Sequence, residues 1–244
     1  MKTLVIIPSR LSATRLPGKP LLKINGLSII SHVFKKALEA NIGEVYVATE
    51  DKEIMDDVNS NGGQAILTGN THKTGTDRIF EALNKLGKSD IELVMNLQGD
   101  EPLMNLSDIR KLHTQMIKSK SNLGTLASNI LNEDLYKNEN IVKVITKENL
   151  NKSEFPEAIN FMRKSIDIKK NMYHHLGIYC YQLKTLKNFV LLSQSQNEIE
   201  YRLEQLRALD NNIKINVALA KSSPIGVDTK EDFVAIKKIM EYNS

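Results

Sequence analysis

The densest chemistry in this chain lies in thirteen residues, Pro8-Ser9-Arg10-Leu11-Ser12-Ala13-Thr14-Arg15-Leu16-Pro17-Gly18-Lys19-Pro20. Three cations, several hydroxyls, a glycine and three prolines occur there with neither a helical nor a strand period. Arg10, Arg15 and Lys19 can neutralise a triphosphate and its leaving group, and backbone amides freed around Gly18 add neutral donors. The spacing is neither that of a P-loop nor that of a dinucleotide-binding turn. A solvated basic loop is the plainer alternative.

Two further segments have comparable content. Gln98-Gly99-Asp100-Glu101-Pro102 ends a strongly apolar run, so Gly99 permits close backbone approach and Asp100 projects from a strand end. A carboxylate there suits Mg²⁺, which takes one or two protein carboxylates and completes its shell with phosphate oxygens and water. A turn or cap would also explain it. Thr74-Gly75-Thr76-Asp77-Arg78 opens a helical pattern. It can offer backbone donors to an anion or a base edge, or be a plain helix start with Asp77 in the favourable first turn. His174 and His175 adjoin a strand, where a histidine is more often structural than functional, and there is no HExxH or Cys-His cluster, which argues against zinc.

The elements that must position these residues alternate short β-rich runs with helical patterns, which implies an α/β fold with a doubly wound, mostly parallel sheet. Strands are expected at Thr3 to Ile7, Val45 to Ala48, Ala65 to Leu67 and Ile91 to Leu97, with helices at Ser28 to Ala40, from Asp51 as cap to Gly62-Gly63, and through Ile79, Leu83 and Leu86. Further strands are expected at Leu123 to Leu131, Ile141 to Thr146, His175 to Tyr181 and Ile213 to Leu219. Helices are expected at Glu198 to Leu209 and after Thr229, whose Thr-Lys-Glu-Asp run is a capping box. One domain over 1–244 is expected, with an excursion at about 150–172 where polar and basic loops cluster. In a doubly wound sheet ligands bind at the carboxyl ends of the strands, where both chemical loops fall.

Composition narrows the partners. The net charge is +4, but cations and anions are interspersed and there is no Trp, which speaks against nucleic acid; small anionic ligands or plain solubility would account for the excess. No run approaches a membrane span, and the first residues do not form a signal peptide. The single Cys180 fits a reducing compartment, so a cytoplasmic location is expected.

The run Arg10 to Leu21 resembles the signature of the 3-deoxy-manno-octulosonate (KDO) cytidylyltransferases. In order along the chain, Thr74 to Arg78, Asn96 to Pro102, His175 to Tyr179, Leu203 to Arg207 and Gly226 to Thr229 are similar to further motifs of that family. The resemblance implies a nucleotidyltransferase fold and transfer of CMP from CTP to an acidic 2-keto sugar, with Mg²⁺ as cofactor, a homodimer, and a role in lipopolysaccharide biosynthesis. It implies metal ligands at Asp100 and Asp228. It implies nucleotide contacts at Arg10, Lys19, Thr74, Gly75, Thr76, Arg78 and Asp100, and catalytic roles for Arg10, Arg15, Lys19, Asp100 and Asp228. It implies sugar contacts at Gln98, Arg163, His175, Glu204 and Gln205. Asp228 precedes the last helix and could cap it, but Thr229 fits that place better. The sugar side departs from the family pattern at Asn160-Phe161-Met162 and at Tyr201. KDO is the first reading of the sugar, and an 8-amino variant or a nonulosonate is the second.

Overall fold

The computed structural model describes residues 1–12, 15–130, 134–165 and 169–242. Chain contacts divide it into two compact units, one formed by 2–106 with 224–244 and the other by 107–223 with Met1. In the first unit, β1 (Thr3–Ser9) is a short run of branched residues, with Leu4 to Ile7 fully buried, as a strand covered on both faces requires. After it come a 3₁₀ turn (Lys19–Leu21), a hairpin of β2 (Lys23–Ile24) and β3 (Leu27–Ser28), α1 (Ile29–Glu39), β4 (Glu44–Thr49), α2 (Lys52–Ser60), β5 (Ala65–Leu67), α3 (Gly75–Leu86) and β6 (Leu93–Asn96). The strand order is β6-β1-β4-β5, and every one of these pairings is parallel. The expected parallel α/β sheet is therefore present here.

Local chemistry sets the helix starts. Ser28 caps α1 by accepting from the Ser31 amide, and Ile29, Ile30, Val33, Phe34 and Ala37 form its buried stripe. Asp51 stands at the cap position of α2 but makes no side-chain cap; its Oδ2 accepts from the Leu11 amide at 2.7 Å. That carboxylate ties the basic loop to the end of β4 instead.

The second unit contains α4 (Leu106–Ser119), β7 (Leu123–Ser128), α5 (Asp134–Lys137), β8 (Lys143–Thr146), β9 (Ala158–Met162), β10 (Met172–Gln182), α6 (Leu183–Phe189), α7 (Gln196–Tyr201), α8 (Gln205–Asp210) and β11 (Ile215–Leu219). Its strands run β11-β7-β10-β8-β9, with β11 parallel to β7 and the other pairs antiparallel. The stretch 150–172 contributes β9 to this sheet, and 166–168 and Leu131 lie outside the described residues. The helix expected from Glu198 to Leu209 is two helices. Arg202 sits between them at φ 54°, in the left-handed region, and the break lets Arg207 turn back to grip Glu198 through Nε (2.7 Å) and Nη2 (2.6 Å).

The chain then returns to the first unit as α9 (Lys230–Tyr242). Ile236 of α9 packs with Ile24, Ile29 and Val227, all fully buried, beside Leu16 and Leu22 of the basic loop region. This small core anchors the segment that carries Asp228.

Candidate active site

Two glycines let the chemical loops converge over the end of β1. A Cβ at Gly99 would lie 2.9 Å from the Pro8 carbonyl oxygen, and one at Gly75 would lie 3.3 Å from Pro8 Cγ. The result is a cavity of about 320 Å³ in the first unit, lined by Arg10, Arg15, Lys19, Thr74, Gly75, Arg78, Gln98, Asp100 and Asp228 among others. Of the expected nucleotide-side residues only Thr76 stays off this wall; it is buried within the first turn of α3. Ala13 and Thr14 lie outside the described residues.

Asp100 and Asp228 are far apart in sequence, and a backbone hydrogen bond brings them together. The Val227 amide donates to the Asp100 carbonyl at 2.9 Å, which sets the two carboxylates side by side. Lys19 Nζ sits between them, 2.5 Å from Asp100 Oδ2 and 3.2 Å from Asp228 Oδ1, and donates also to the Val227 carbonyl at 2.8 Å. Arg15 reaches Asp228 Oδ2 at 3.0 Å. Burial disfavours the Lys19 ammonium, but Asp100 and Asp228 outweigh it and hold its pKa above the ordinary value, so the charge is secure. Asp228 is not the cap of α9. Thr229 accepts from the Asp232 amide while Asp232 accepts from the Thr229 amide, so the cap is reciprocal and Asp228 is left to face Lys19.

The same cluster tests whether magnesium fits. Asp100 and Asp228 converge on one cation position, here filled by the Lys19 ammonium. Beside them the Glu101 carboxyl is driven up to about 8 by burial and by the charges of Asp100 and Asp228, and its buried Oε2 has no hydrogen-bond partner among the described residues. With Glu101 held neutral near physiological pH, the paired charge of Asp100 and Asp228 is what suits a hard divalent ion. Among the described residues no group of three or more His, Cys, Asp or Glu could hold a metal, so phosphate oxygens and water would complete the shell.

Thr74 caps α3, accepting from the Asp77 amide at 3.2 Å, so the plain helix-start reading is correct as geometry; the helix nevertheless opens onto the cavity with its N-terminal dipole. Arg78 is 3% exposed. It pairs with Glu50 and donates to Thr68 Oγ1 at 2.6 Å, and so stiffens the cavity wall. His72 and Lys73, just before the segment recognised from Thr74, also line the cavity. Glu81 orients His72 by accepting from its Nε2, and the same carboxylate takes the Gly69 amide. A His-Lys pair ahead of a capping Thr is the signal that could have extended the segment.

The other residues expected on the sugar side belong to the second unit. Arg163 follows β9, its Nη1 donating to the Glu139 carbonyl (3.4 Å) and Nη2 to the Arg202 carbonyl (3.2 Å). β9 packs on α8, whose start carries Glu204 and the buried Gln205. His175 is edge-on to Phe161 at 5.0 Å and shares a hydrogen bond with Thr125 Oγ1 at 3.0 Å. Arg207 is not a surface residue. It is 3% exposed, paired with Glu198 and stacked 4.7 Å over the Phe189 ring.

Burial pushes His175 down to about 3, with the neighbouring His174 adding to the shift, so its ring is neutral at physiological pH. The unfolded chain takes up that proton near the ordinary value of 6.5, so between roughly pH 6.5 and 3 it binds more protons than the folded state. Stability therefore falls as pH is lowered through this window, by about 2 kcal/mol from His175 at pH 5. Denaturant titrations of wild type and His175→Gln at pH 7 and pH 5 measure it: the variant should show a pH dependence smaller by about that amount. Equal pH dependence would place the ring in water.

The cytidylyltransferase family profile matches residues 4–215. The 3-deoxy-manno-octulosonate cytidylyltransferase of Thermodesulfovibrio yellowstonii is 42% identical, over 98% of each chain. That of Afipia carboxidovorans is also 42% identical, over 98% of this chain and 96% of its own. The chain belongs to the 3-deoxy-manno-octulosonate cytidylyltransferase family. A solved CMP:2-keto-3-deoxy-manno-octonic acid synthetase complexed with CTP superposes with a TM-score of 0.90 at 33% identity, covering all of both chains. A UDP-glucose pyrophosphorylase matches at a TM-score of 0.74 and 15% identity, which shows the shared fold, a mostly parallel sheet flanked by helices. Among the described residues no helix is long and apolar enough to cross a membrane.

Proposed function

We propose that this enzyme transfers CMP from CTP to 3-deoxy-D-manno-octulosonate, releasing pyrophosphate. The observation that carries the reading is the Asp100-Lys19-Asp228 cluster at a cavity walled by a cationic loop and a helix N-terminus, in a chain of this family. The anomeric 2-hydroxyl of the sugar attacks the α-phosphorus and gives up its proton to water, the new P–O bond forms in line, and the bond to the β-phosphate breaks with its electron pair leaving on pyrophosphate. Such a transfer depends on positioning and charge neutralisation rather than on a protein nucleophile. Arg10, Arg15 and Lys19 hold the phosphates and the departing charge. Gly75 and the start of α3 offer amides to the nucleotide, with Thr74, Thr76 and Arg78 shaping that turn.

Asp100 and Asp228 would hold magnesium, which when bound neutralises the phosphates and makes the attacking hydroxyl more acidic. Gln98, Arg163, His175, Glu204 and Gln205 are the residues assigned to the sugar acid. The neutral His175 serves there by hydrogen bonding and shape, not by charge. The same reading places the enzyme in the cytoplasm as a homodimer that supplies lipopolysaccharide synthesis.

Nucleotide choice tests the cavity's part. Pyrophosphate release with the sugar acid and Mg²⁺ should be at least roughly 10²-fold faster in kcat/KM with CTP than with UTP, because a site built to hydrogen-bond one base edge leaves polar groups unpaired with the other. Comparable turnover with UTP would count against this nucleotide assignment.

A further inference from the structure

Lys143 on β8 is fully buried and is among the largest side chains in the protein to be so. Its Nζ donates to two backbone carbonyls, those of Asn138 and Arg163, each at 2.6 Å. Burial lowers its pKa, with the Glu139 charge opposing the shift and Arg163 adding to it. An ammonium sunk in a sheet is a costly way to fill space, since replacing buried charge by apolar groups of similar volume is often neutral or stabilising. Its two acceptors indicate a more specific use. One is the carbonyl of Arg163 itself; the other, on Asn138, is the residue before Glu139, whose carbonyl accepts from Arg163 Nη1. One cation thus fixes both the backbone root of Arg163 and the turn against which its guanidinium rests.

We propose that Lys143 is a positioning residue for the sugar-acid step, aiming the Arg163 guanidinium by clamping the Asn138 and Arg163 carbonyls together. This rests on the assignment of Arg163 to the sugar acid. A bidentate arginine contact depends on angle as well as charge, so a small loss of aim is felt mainly in binding of the carboxylate. The nucleotide cavity contains neither Lys143 nor its acceptors.

The test is a kinetic cycle on the full chain with KDO, CTP and Mg²⁺, comparing wild type, Lys143→Met, Arg163→Ala and the double variant. Lys143→Met should raise KM for KDO roughly 10-fold or more while KM for CTP changes less than about 2-fold. The double variant should be no worse than Arg163→Ala alone, because both act through one guanidinium. Should Lys143→Met not fold, as judged by circular dichroism, Lys143→Gln, which keeps a donor, takes its place in the same cycle. An unchanged KM for KDO in the Lys143 variant, parallel rises in both KM values, or losses that multiply with those of Arg163→Ala would each overturn the proposal. If Arg163→Ala alone leaves KM for KDO unchanged, the assignment of Arg163 itself fails, and Lys143 has nothing to aim.

Discussion

Replacing Asp100 or Asp228 by Asn is expected to cut kcat by roughly 10²-fold or more, about 3 kcal/mol of barrier, with the protein still folded. Each substitution keeps size and turn geometry. The backbone link from the Val227 amide to the Asp100 carbonyl does not depend on either side chain, and α9 keeps its cap through Thr229 and Asp232. What is lost is the paired negative charge that holds Lys19 and that a hard cation needs. The double variant should lose far less than the product of the single losses, since both carboxylates act at one centre. Steady-state kinetics with isothermal titration of Mg²⁺ in the presence of CTP check this. Full activity in a folded Asp228→Asn protein would leave Asp100 as the sole ligand and reduce Asp228 to a partner of Arg15 and Lys19.

Arg163→Ala has the second large expected effect, a rise in KM for KDO or a matching fall in kcat/KM, corresponding to roughly 2–5 kcal/mol for a charge-assisted, partly desolvated contact. KM for CTP should hold, because Arg163 is not part of the nucleotide cavity wall. Its guanidinium rests on main-chain carbonyls of Glu139 and Arg202, so removing the side chain leaves no buried carboxylate behind among these contacts. Kinetics with each substrate varied in turn separate the two. Equal effects on both substrates would point to a folding role for Arg163.

The parallel half of the fold was legible because its strands are short, wholly apolar runs that alternate with clean helical stripes, as in Leu4 to Ile7 and α1. The cavity was legible because strand-end loops collect ligand chemistry, and because the basic loop and the Gln-Gly-Asp turn have no other periodic explanation. The meeting of Asp100 and Asp228 was not visible in local pattern. It depends on one long-range hydrogen bond from Val227, and the family motifs supplied what spacing could not. The stretch Glu198 to Leu209 reads as one helix because the apolar spacing of Ile199, Leu203 and Leu206 continues across Arg202, and a left-handed residue leaves no periodic trace. Lys143 is hidden in the sequence for a related reason. A lysine inside Val-Lys-Val-Ile reads as the polar side of a half-buried strand, and only the fold shows that side to be sealed.

The joining of CMP to the sugar acid is tested most directly by product formation. The enzyme is incubated with CTP, Mg²⁺ and KDO, or in place of KDO an 8-amino-KDO or a nonulosonate, and pyrophosphate and the CMP-sugar are quantified together by mass spectrometry. Stoichiometric CMP-KDO and pyrophosphate, formed fastest with KDO and only when both substrates are present, is the predicted result. Pyrophosphate released without any CMP-sugar, or a higher kcat/KM for one of the other acids, would contradict it.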